Sequence, residues 1–324
     1  MEPLEEAVPE RLAPAQIAAA VSVARRVTEN VRRAVQVRDE VLEHVTVALL
    51  AEGHILVEDY PGVGKTALAR ALARSIECQF ARVQCTADLL PADIVGSQIY
   101  NQREARFEFR PGPIFANVVL VDEVNRASPK TQSGLLECMQ ERHVTVDATS
   151  HELARPFLVF ATQNPVEYEG TYPLPEAQVD RFMVRLSLGY PDPEAEAGML
   201  LGHESHDRVL DLDSVADRAE IVQAVETAHR VHASRALRDY IVALLRRTRS
   251  DERVELGASP RAGLMLLRAA KARALVHGRD HALPDDVQAL ADAVLTHRLM
   301  LAPEAAGVQR SEIVADAIAS VPAL

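Results

Sequence analysis

The segment 54–76, HILVEDYPGVGKTALARALARSI, decides the fold of this chain. Its first five residues are a short apolar run that predicts a buried strand, and its last ten are rich in Ala and Leu, which favours a helix. Between them, DYPGVGKT contains the Gly and Pro residues that form a tight turn. Strand, glycine-rich turn and helix in direct succession predict the opening of a βαβ unit, and therefore a parallel sheet.

The turn matches most of a phosphate-binding loop, whose pattern is GxxxxGK[ST]. Gly62 and Gly64 let backbone N–H groups close around phosphate oxygens, although Asp59 stands where the pattern has its first glycine. We predict that Lys65 neutralises the β- and γ-phosphates of ATP and that Thr66 places its hydroxyl on Mg²⁺. The alternative is a plain turn with a surface lysine. The predicted nucleotide contacts are Pro61, Gly62, Val63, Gly64, Lys65, Thr66 and Ala67.

Two further apolar runs end in polar side chains that suit ATP hydrolysis. VVLVDE ends in Asp122 and Glu123, and LVFATQN ends in Asn164. Because the carboxyl ends of parallel strands meet at one edge of a sheet, we expect these side chains beside the phosphate loop. Asp122 would hold Mg²⁺ through its water shell, Glu123 would activate the attacking water as general base, and Asn164 would orient that water. The alternatives are two acids that cap the next helix and a turn asparagine.

The rest of the chain divides into a mixed part and a helical part. Buried-strand runs such as QFARVQ and FMVRLSL alternate with helical stretches up to about position 190, and almost all later sequence has helical periodicity. We therefore predict an α/β fold: a flexible acidic tail over 1–14, an αβα nucleotide-binding core with a parallel sheet over 15–190, and a small all-helical lid domain over 191–324. Within the core, alternating residues predict hairpin-like inserts at about 96–113 and 141–155.

Composition and charge exclude several classes of protein. The chain has 324 residues, of which 48% are hydrophobic and 25% charged, which is typical of globular proteins. Its longest strictly aliphatic stretches run four residues, far short of the roughly 20 that span a bilayer, so we expect no membrane span. The N-terminus lacks a secretory pattern, and the three cysteines form no CxxC pair, so we expect a reducing, cytoplasmic location. The net charge of −12 disfavours general nucleic-acid binding.

The strings EDYPGVGKT, VDEVNRASPKTQSGLLECMQE, ATQNP, YPLPEAQVDRF and GASPRA, in this order and spacing, resemble the MoxR group of AAA+ ATPases. The resemblance covers roughly 20–300. It implies an AAA+ core followed by a helical lid, assembled as a homo-oligomeric ring that we expect to be a hexamer. It also implies that Asn164 is sensor 1, that Arg181 is the arginine finger for the neighbouring subunit, and that Arg261 is sensor 2.

Chemistry gives separate support to the two arginines, because a guanidinium fork suits the charge that develops on the phosphoryl oxygens. The alternative for Arg181 is an ion pair with Asp180 or Glu176, and the alternative for Arg261 is a surface position at a helix start. Arg126 is a rival candidate for the trans-acting finger.

The resemblance implies an ATP-driven chaperone-like protein whose inserts face the ring pore or a client. It implies a partner with a von Willebrand factor A domain, and clients that need assembly or metal insertion. One alternative is a nucleic-acid motor of the MCM type, against which stand the acidic balance and the absence of Lys from the hairpins. Another is an ATP-sensing scaffold with little turnover. For the second hairpin an equal alternative is an edge ribbon that seals the sheet.

Overall fold

The computed structural model describes residues 12–147, 149–164, 171–190, 207–305 and 307–323. Most of the predicted tail (1–11) and the predicted start of the lid (191–206) lie outside these residues. The helices are α1 Pro14–Ala34, α2 Asp39–Leu50, α3 Lys65–Ser75, α4 Pro91–Val95, α5 Pro129–Glu141, α6 Glu176–Val179, α7 Arg218–Arg230, α8 Arg235–Arg249, α9 Pro260–Val276, α10 Pro284–Leu295 and α11 Arg310–Ser320. The strands are β1 Ile55–Glu58, β2 Phe80–Gln84, β3 Gly96–Asn101, β4 Arg106–Pro111, β5 Val118–Asp122, β6 His143–Val146, β7 Thr149–Glu152, β8 Leu158–Gln163, β9 Val184–Leu186, β10 Val254–Leu256 and β11 Met300–Leu301.

Five strands form a parallel sheet in the order β2-β5-β8-β1-β9. Alternate residues of each strand face opposite sides, so Val57 and Leu120 belong to one apolar cluster, whereas Leu56 and Val121 belong to another. The first cluster contains residues of α1, α2 and α3, and the second contains residues of α5. The predicted α/β core, with a parallel sheet covered on both faces, is confirmed.

The C-terminal helices pack on the same side as α1 and α2. Helix α9 contacts α1, α2, α7, α8 and α10, and its many alanines let these neighbours approach closely. Gly263 on α9 faces Leu245 of α8, where a Cβ atom would lie 2.7 Å from the leucine Cδ1. Because these helices share one apolar cluster with the sheet, the lid and the core are joined by a continuous hydrophobic interior.

Two antiparallel hairpins stand out from the sheet, one made of β3 and β4 and the other of β6 and β7. They contact each other through Phe109 and His151, whose rings stack with centroids 4.1 Å apart. Among the described residues no group of three or more His, Cys, Asp or Glu side chains could hold a metal ion.

Two further sequence features can be placed in the structure. No helix of the described ranges has both the length and the apolar character needed to cross a bilayer. All three cysteines are free thiols, with Cys85 and Cys138 buried and Cys78 half-buried. Burial raises the pKa of Cys85 to about 12 and the pKa of each of the other two thiols to about 11, which makes them poor nucleophiles.

Candidate functional site

The glycine-rich turn leads from β1 directly into α3. Gly62 and Gly64 have φ of +87° and +94°, and a Cβ atom at either would meet nothing within 4 Å. Backbone conformation rather than crowding therefore requires glycine at both positions. No side chain caps the start of α3, so its first N–H groups and the positive end of its dipole are available to an anion. Lys65 reaches back across the turn, and its Nζ donates to the carbonyl oxygen of Asp59 at 3.0 Å.

The conformation and contacts of Asp59 explain why it can replace glycine at the first position of the loop. Its φ lies outside the left-handed region, so glycine is not needed there. Its buried carboxylate accepts hydrogen bonds from the Gly189 N–H at 3.1 Å, from the Leu188 N–H, and from the Ser187 hydroxyl at 3.3 Å. The side chain thus fastens the phosphate loop to the segment that follows β9.

The two predicted acids lie at the end of β5, which is separated in the sheet from β1 and its loop by β8. Asp122 is buried, and its Oδ1 accepts a hydrogen bond from the Thr162 hydroxyl at 2.6 Å. Its Oδ2 forms an ion pair with Arg82 of β2 at 2.7 Å. Glu123 has a left-handed backbone with φ of +54°, and its N–H donates to the same threonine oxygen at 2.9 Å. One hydroxyl group of Thr162 therefore holds both the carboxylate of Asp122 and the backbone of Glu123.

The Glu123 carboxylate has two polar neighbours, of which the sequence pointed to Arg126 but not to Gln84. Gln84 of β2 donates to its Oε2 at 3.0 Å, and Arg126 donates to the same oxygen at 2.9 Å. Arg126, the rival finger candidate, is thus engaged with the acid of its own chain. The signal available in QFARVQ was the alternation of Arg82 and Gln84, which puts both on one face of β2.

Asn164 lies at the end of β8, between the sheet and the C-terminal helices. It lines a cavity of about 290 Å³ together with Glu58, Asn125, His297 and Arg310. Inside this cavity the Asn125 Oδ1 is buried without a hydrogen-bond partner among the described residues. The strand ends of β1, β5 and β8 thus bring the phosphate loop, the two acids and the amide to one edge, as the parallel topology predicts.

Arg181 and Arg261 lie near each other. Asp180 accepts a hydrogen bond from the Ser259 hydroxyl at 3.0 Å, so the segment that carries Arg181 touches the segment that carries Arg261. Arg181 forms no ion pair within the described ranges, because Asp180 pairs with Arg298 at 2.7 Å. Arg261 donates to Gln140 at the end of α5, at 3.3 Å.

A buried arginine that sequence reasoning missed holds this neighbourhood together. The Arg298 guanidinium bonds to the carboxylate of Asp180 and to the carbonyl oxygens of Asp180, Phe182 and Met183. Burial lowers the pKa of Arg298, and the Asp180 carboxylate opposes that shift. His297, the preceding residue, bonds to the Phe182 carbonyl oxygen at 3.2 Å. The lid thereby fixes the backbone on both sides of Arg181.

The residues present fit a magnesium nucleotide. Thr66 is half-buried in the first turn of α3, and Asp122 supplies a carboxylate at the same edge of the sheet, at the end of β5. Mg²⁺ prefers one or two protein oxygens together with water and substrate phosphates, so a cage of protein ligands is not required. Chemically, the site offers N–H donors suited to phosphate oxygens, one carboxylate suited to Mg²⁺ and one acid suited to water activation.

A phosphate loop after β1, acids after β5 and a helical domain behind the sheet are the arrangement of an AAA+ ATPase. Sequence comparison agrees, since 54–184 match the model of the ATPase family associated with various cellular activities (AAA), and 246–317 match the AAA lid domain.

Similarity extends over nearly the whole chain. It is 40% identical to the chaperone MoxR1 of Mycobacterium tuberculosis over 95% of this chain and 84% of that protein. It is 33% identical to protein MoxR of Methylorubrum extorquens over 92% and 93% of the two chains. A crystal structure of a candidate ATPase from Cytophaga hutchinsonii superposes with a TM-score of 0.89 at 37% identity, covering 96% and 97% of the chains. The chain therefore belongs to the MoxR family of AAA+ ATPases, which is chaperone-like, and the predicted family is confirmed.

Proposed function

We propose that this protein hydrolyses ATP to ADP and phosphate in a Mg²⁺-dependent reaction and uses the cycle to remodel, assemble or activate a partner protein. The observation that carries the proposal is the convergence of Lys65, Asp122, Glu123 and Asn164 at one edge of the sheet. A binding loop without hydrolytic groups would suit a scaffold that senses ATP. This edge has both.

Each residue has a definite part in the proposed reaction. The segment 61–67 wraps the phosphates, and Lys65 exchanges its bond to the Asp59 carbonyl oxygen for phosphate oxygens. Mg²⁺, held by Thr66 and Asp122, would neutralise charge on the β- and γ-phosphates. Glu123 takes a proton from water as its oxygen attacks the γ-phosphorus, and the bond to the bridging oxygen of ADP breaks. Asn164 orients that water.

The proposed reaction requires a second subunit. Arg181 and Arg261 share one neighbourhood next to the Asp180–Ser259 hydrogen bond, whereas Lys65 bonds within its own loop. This placement supports a homo-oligomeric ring, expected to be a hexamer, in which Arg181 faces the γ-phosphate of an adjacent subunit and Arg261 acts as sensor 2. Hydrolysis then depends on assembly.

The partner is proposed from family likeness, since a relative that is 40% identical carries the name chaperone MoxR1. We propose a protein client, with a von Willebrand factor A domain as the recognition unit and metal insertion or assembly as the outcome. The net charge of −12 disfavours the MCM-like nucleic-acid motor. A full-length MCM homologue from Methanopyrus kandleri shares the fold, with a TM-score of 0.61 at 18% identity, and that likeness concerns the fold alone.

The test measures ATP binding and phosphate release separately. Glu123→Gln should bind ATP normally and lose about 10²–10⁴-fold in turnover, because the general base is gone while the phosphate contacts remain. Lys65→Ala should lose ATP binding. Glu137→Gln, an exposed acid on α5, is the matched control and should match the wild type. Normal turnover by Glu123→Gln, or normal ATP affinity of Lys65→Ala, would contradict the assignment.

The same variants test the partner. Glu123→Gln held in ATP should capture a protein with a von Willebrand factor A domain from cell lysate, and Lys65→Ala should not. Capture of nuclease-sensitive material would support the motor instead, and equal capture by the two variants would support the scaffold.

A further inference from the structure

Two tyrosines form a stacked pair at the entrance to the phosphate loop. The rings of Tyr60 and Tyr190 have centroids 5.6 Å apart and planes inclined by 16°. Tyr60, which immediately precedes the loop, is 43% exposed, and Tyr190, which follows β9, is 72% exposed. An aromatic pair with so much uncovered surface contributes little to a hydrophobic core. It does offer a flat apolar face to a ligand.

The sheet order indicates which part of a nucleotide would reach this pair. Strand β1, which carries the phosphate loop, lies between β8 and β9. The proposed hydrolytic residues Asp122, Glu123 and Asn164 follow β5 and β8, so the γ-phosphate must point to that side. The nucleoside end of the same molecule therefore extends toward the opposite side, where β9 ends and Tyr190 follows it.

Both tyrosines are attached to fixed backbone. Asp59, next to Tyr60, accepts hydrogen bonds from Ser187, Leu188 and Gly189, the three residues that precede Tyr190. Arg38, in the connection between α1 and α2, donates to the Ser187 carbonyl oxygen at 3.0 Å. The loop that would hold the phosphates and the ring that would meet the base are thus joined by a buried carboxylate. A ligand that spans both would find them already in position.

We propose that the base of the bound nucleotide stacks on the exposed face of Tyr190, with Tyr60 behind it as a support. This inference rests on the proposed ATPase function and adds the recognition of the base to it. Because every nucleobase has a π face, stacking alone discriminates weakly between bases. The pair should therefore strengthen the binding of ATP and GTP alike, and should contribute nothing to the binding of a ligand without a base.

Inorganic triphosphate is the ligand that isolates this contribution. The dissociation constants of ATP and of triphosphate, each with Mg²⁺, are measured by calorimetry for the wild type, Tyr190→Leu and Tyr60→Leu. Loss of one base–aromatic stack should weaken ATP binding by Tyr190→Leu about 5- to 150-fold and leave triphosphate binding unchanged. Tyr60→Leu should show a smaller loss in the same direction. Tyr190→Phe, which keeps the ring, should retain the affinity for ATP.

Controls separate this inference from the function on which it rests. Tyr100→Leu removes an exposed ring on the β3–β4 hairpin and should bind both ligands as the wild type does. Lys65→Ala should lose both ligands, because it acts on the phosphates. If Tyr190→Leu keeps full ATP affinity, or loses ATP and triphosphate by the same factor, the base-stacking role is refuted. If the wild type binds neither ligand, the proposed ATPase function fails instead.

Discussion

The ion pairs in two regions of the molecule differ in their exposure to solvent. One region is the edge of the sheet where β5 and β8 end, which is proposed to hydrolyse ATP. The other is the junction between core and lid, where Arg298 meets Asp180. At the edge, Arg126 and Glu123 form a pair that is exposed on both sides, at 47% and 30%, whereas Arg82 is 50% exposed and its partner Asp122 only 12%. At the junction, the Arg298 side chain is 1% exposed and pairs with Asp180. The first kind of pair can exchange its partners with solvent, and the second cannot.

This difference has a physical consequence for function. The Arg126–Glu123 pair is exposed on both sides and is worth about 1 kcal/mol or less, so the arginine can leave this acid at small cost. Breaking a buried pair leaves an uncompensated charge in the interior and costs several times more. The molecule therefore keeps exchangeable charges at the edge proposed for hydrolysis and fixed charges beside Arg181, the proposed finger.

The largest effect is expected at Arg181, which lies beside the junction but is proposed to act at the edge of another subunit. Arg181→Ala should bind ATP normally and lose about 10³–10⁵-fold in turnover, because the charge on the transferred phosphoryl group loses its guanidinium partner. Phosphate release by the assembled protein measures this. Arg25→Ala, an exposed arginine on α1, should behave as the wild type.

Mixing decides whether the arginine acts between subunits. Arg181→Ala subunits retain Glu123, and Glu123→Gln subunits retain Arg181, so mixed rings contain some complete sites. Turnover should then rise above that of either variant alone. Mixtures that stay as inactive as their components would refute action in trans.

A smaller effect, on stability, is expected from breaking the junction. Arg298→Met should lower the free energy of unfolding by about 3–5 kcal/mol, because the Asp180 carboxylate is left without its partner. The double variant with Asp180→Leu should recover most of that loss, since the stranded charge is gone. Arg25→Met, which breaks an exposed pair with Glu29, should cost no more than about 0.5 kcal/mol. Denaturant unfolding measures the free energy of unfolding of these three variants. An equal decrease for Arg298→Met and Arg25→Met would contradict the proposed difference between buried and exposed ion pairs.

The smallest effect concerns a buried histidine that carries no charge. Burial lowers the pKa of His54 to about 4, while its ring nitrogens bond to Met139 and Val159. Because the unfolded chain takes up this proton near pH 6.5 and the folded chain does not, stability should fall as the pH drops from about 6.5 toward 4. The expected loss is about 1.4 kcal/mol per pH unit, or about 2 kcal/mol at pH 5.

His54→Gln separates this contribution from that of other groups. Glutamine can donate and accept as the neutral ring does, so its unfolding free energy should depend on pH less steeply between 6.5 and 5, by about one proton. His232→Gln, at an exposed position, should keep the wild-type slope. Identical slopes for wild type and His54→Gln would show that His54 takes up its proton as readily in the folded chain as in the unfolded chain.

Local patterns along the chain were enough for much of the fold. Strand, turn and helix in 54–76 predicted the phosphate loop, and apolar runs that end in Asp122 and Asn164 predicted strand ends at one edge of a parallel sheet. Both predictions depend on periodicity and on residue types within a few positions of one another. Parallel strands then impose the common edge, because their carboxyl ends must lie together.

Partners that are distant in the chain could not be predicted in the same way. Nothing in QFARVQ shows that β2 lies beside β5, so the bonds from Arg82 and Gln84 to the two acids were missed. In the sequence, Asp59 is only a departure from the glycine pattern. In the structure, its carboxylate accepts hydrogen bonds from the segment that follows β9. The sequence around Arg298 likewise gives no sign that this arginine is buried and pairs with Asp180.

The sequence by itself determined the class of fold, the phosphate loop and the acids that suit hydrolysis, because these depend on local backbone preferences and on the order of apolar runs. Only the tertiary structure decided which charges are exchangeable and which are fixed, because burial and strand order are properties of the whole packed chain. The same reason applies to Tyr60 and Tyr190. They are 130 positions apart in the sequence, and only the folded chain stacks them beside the phosphate loop.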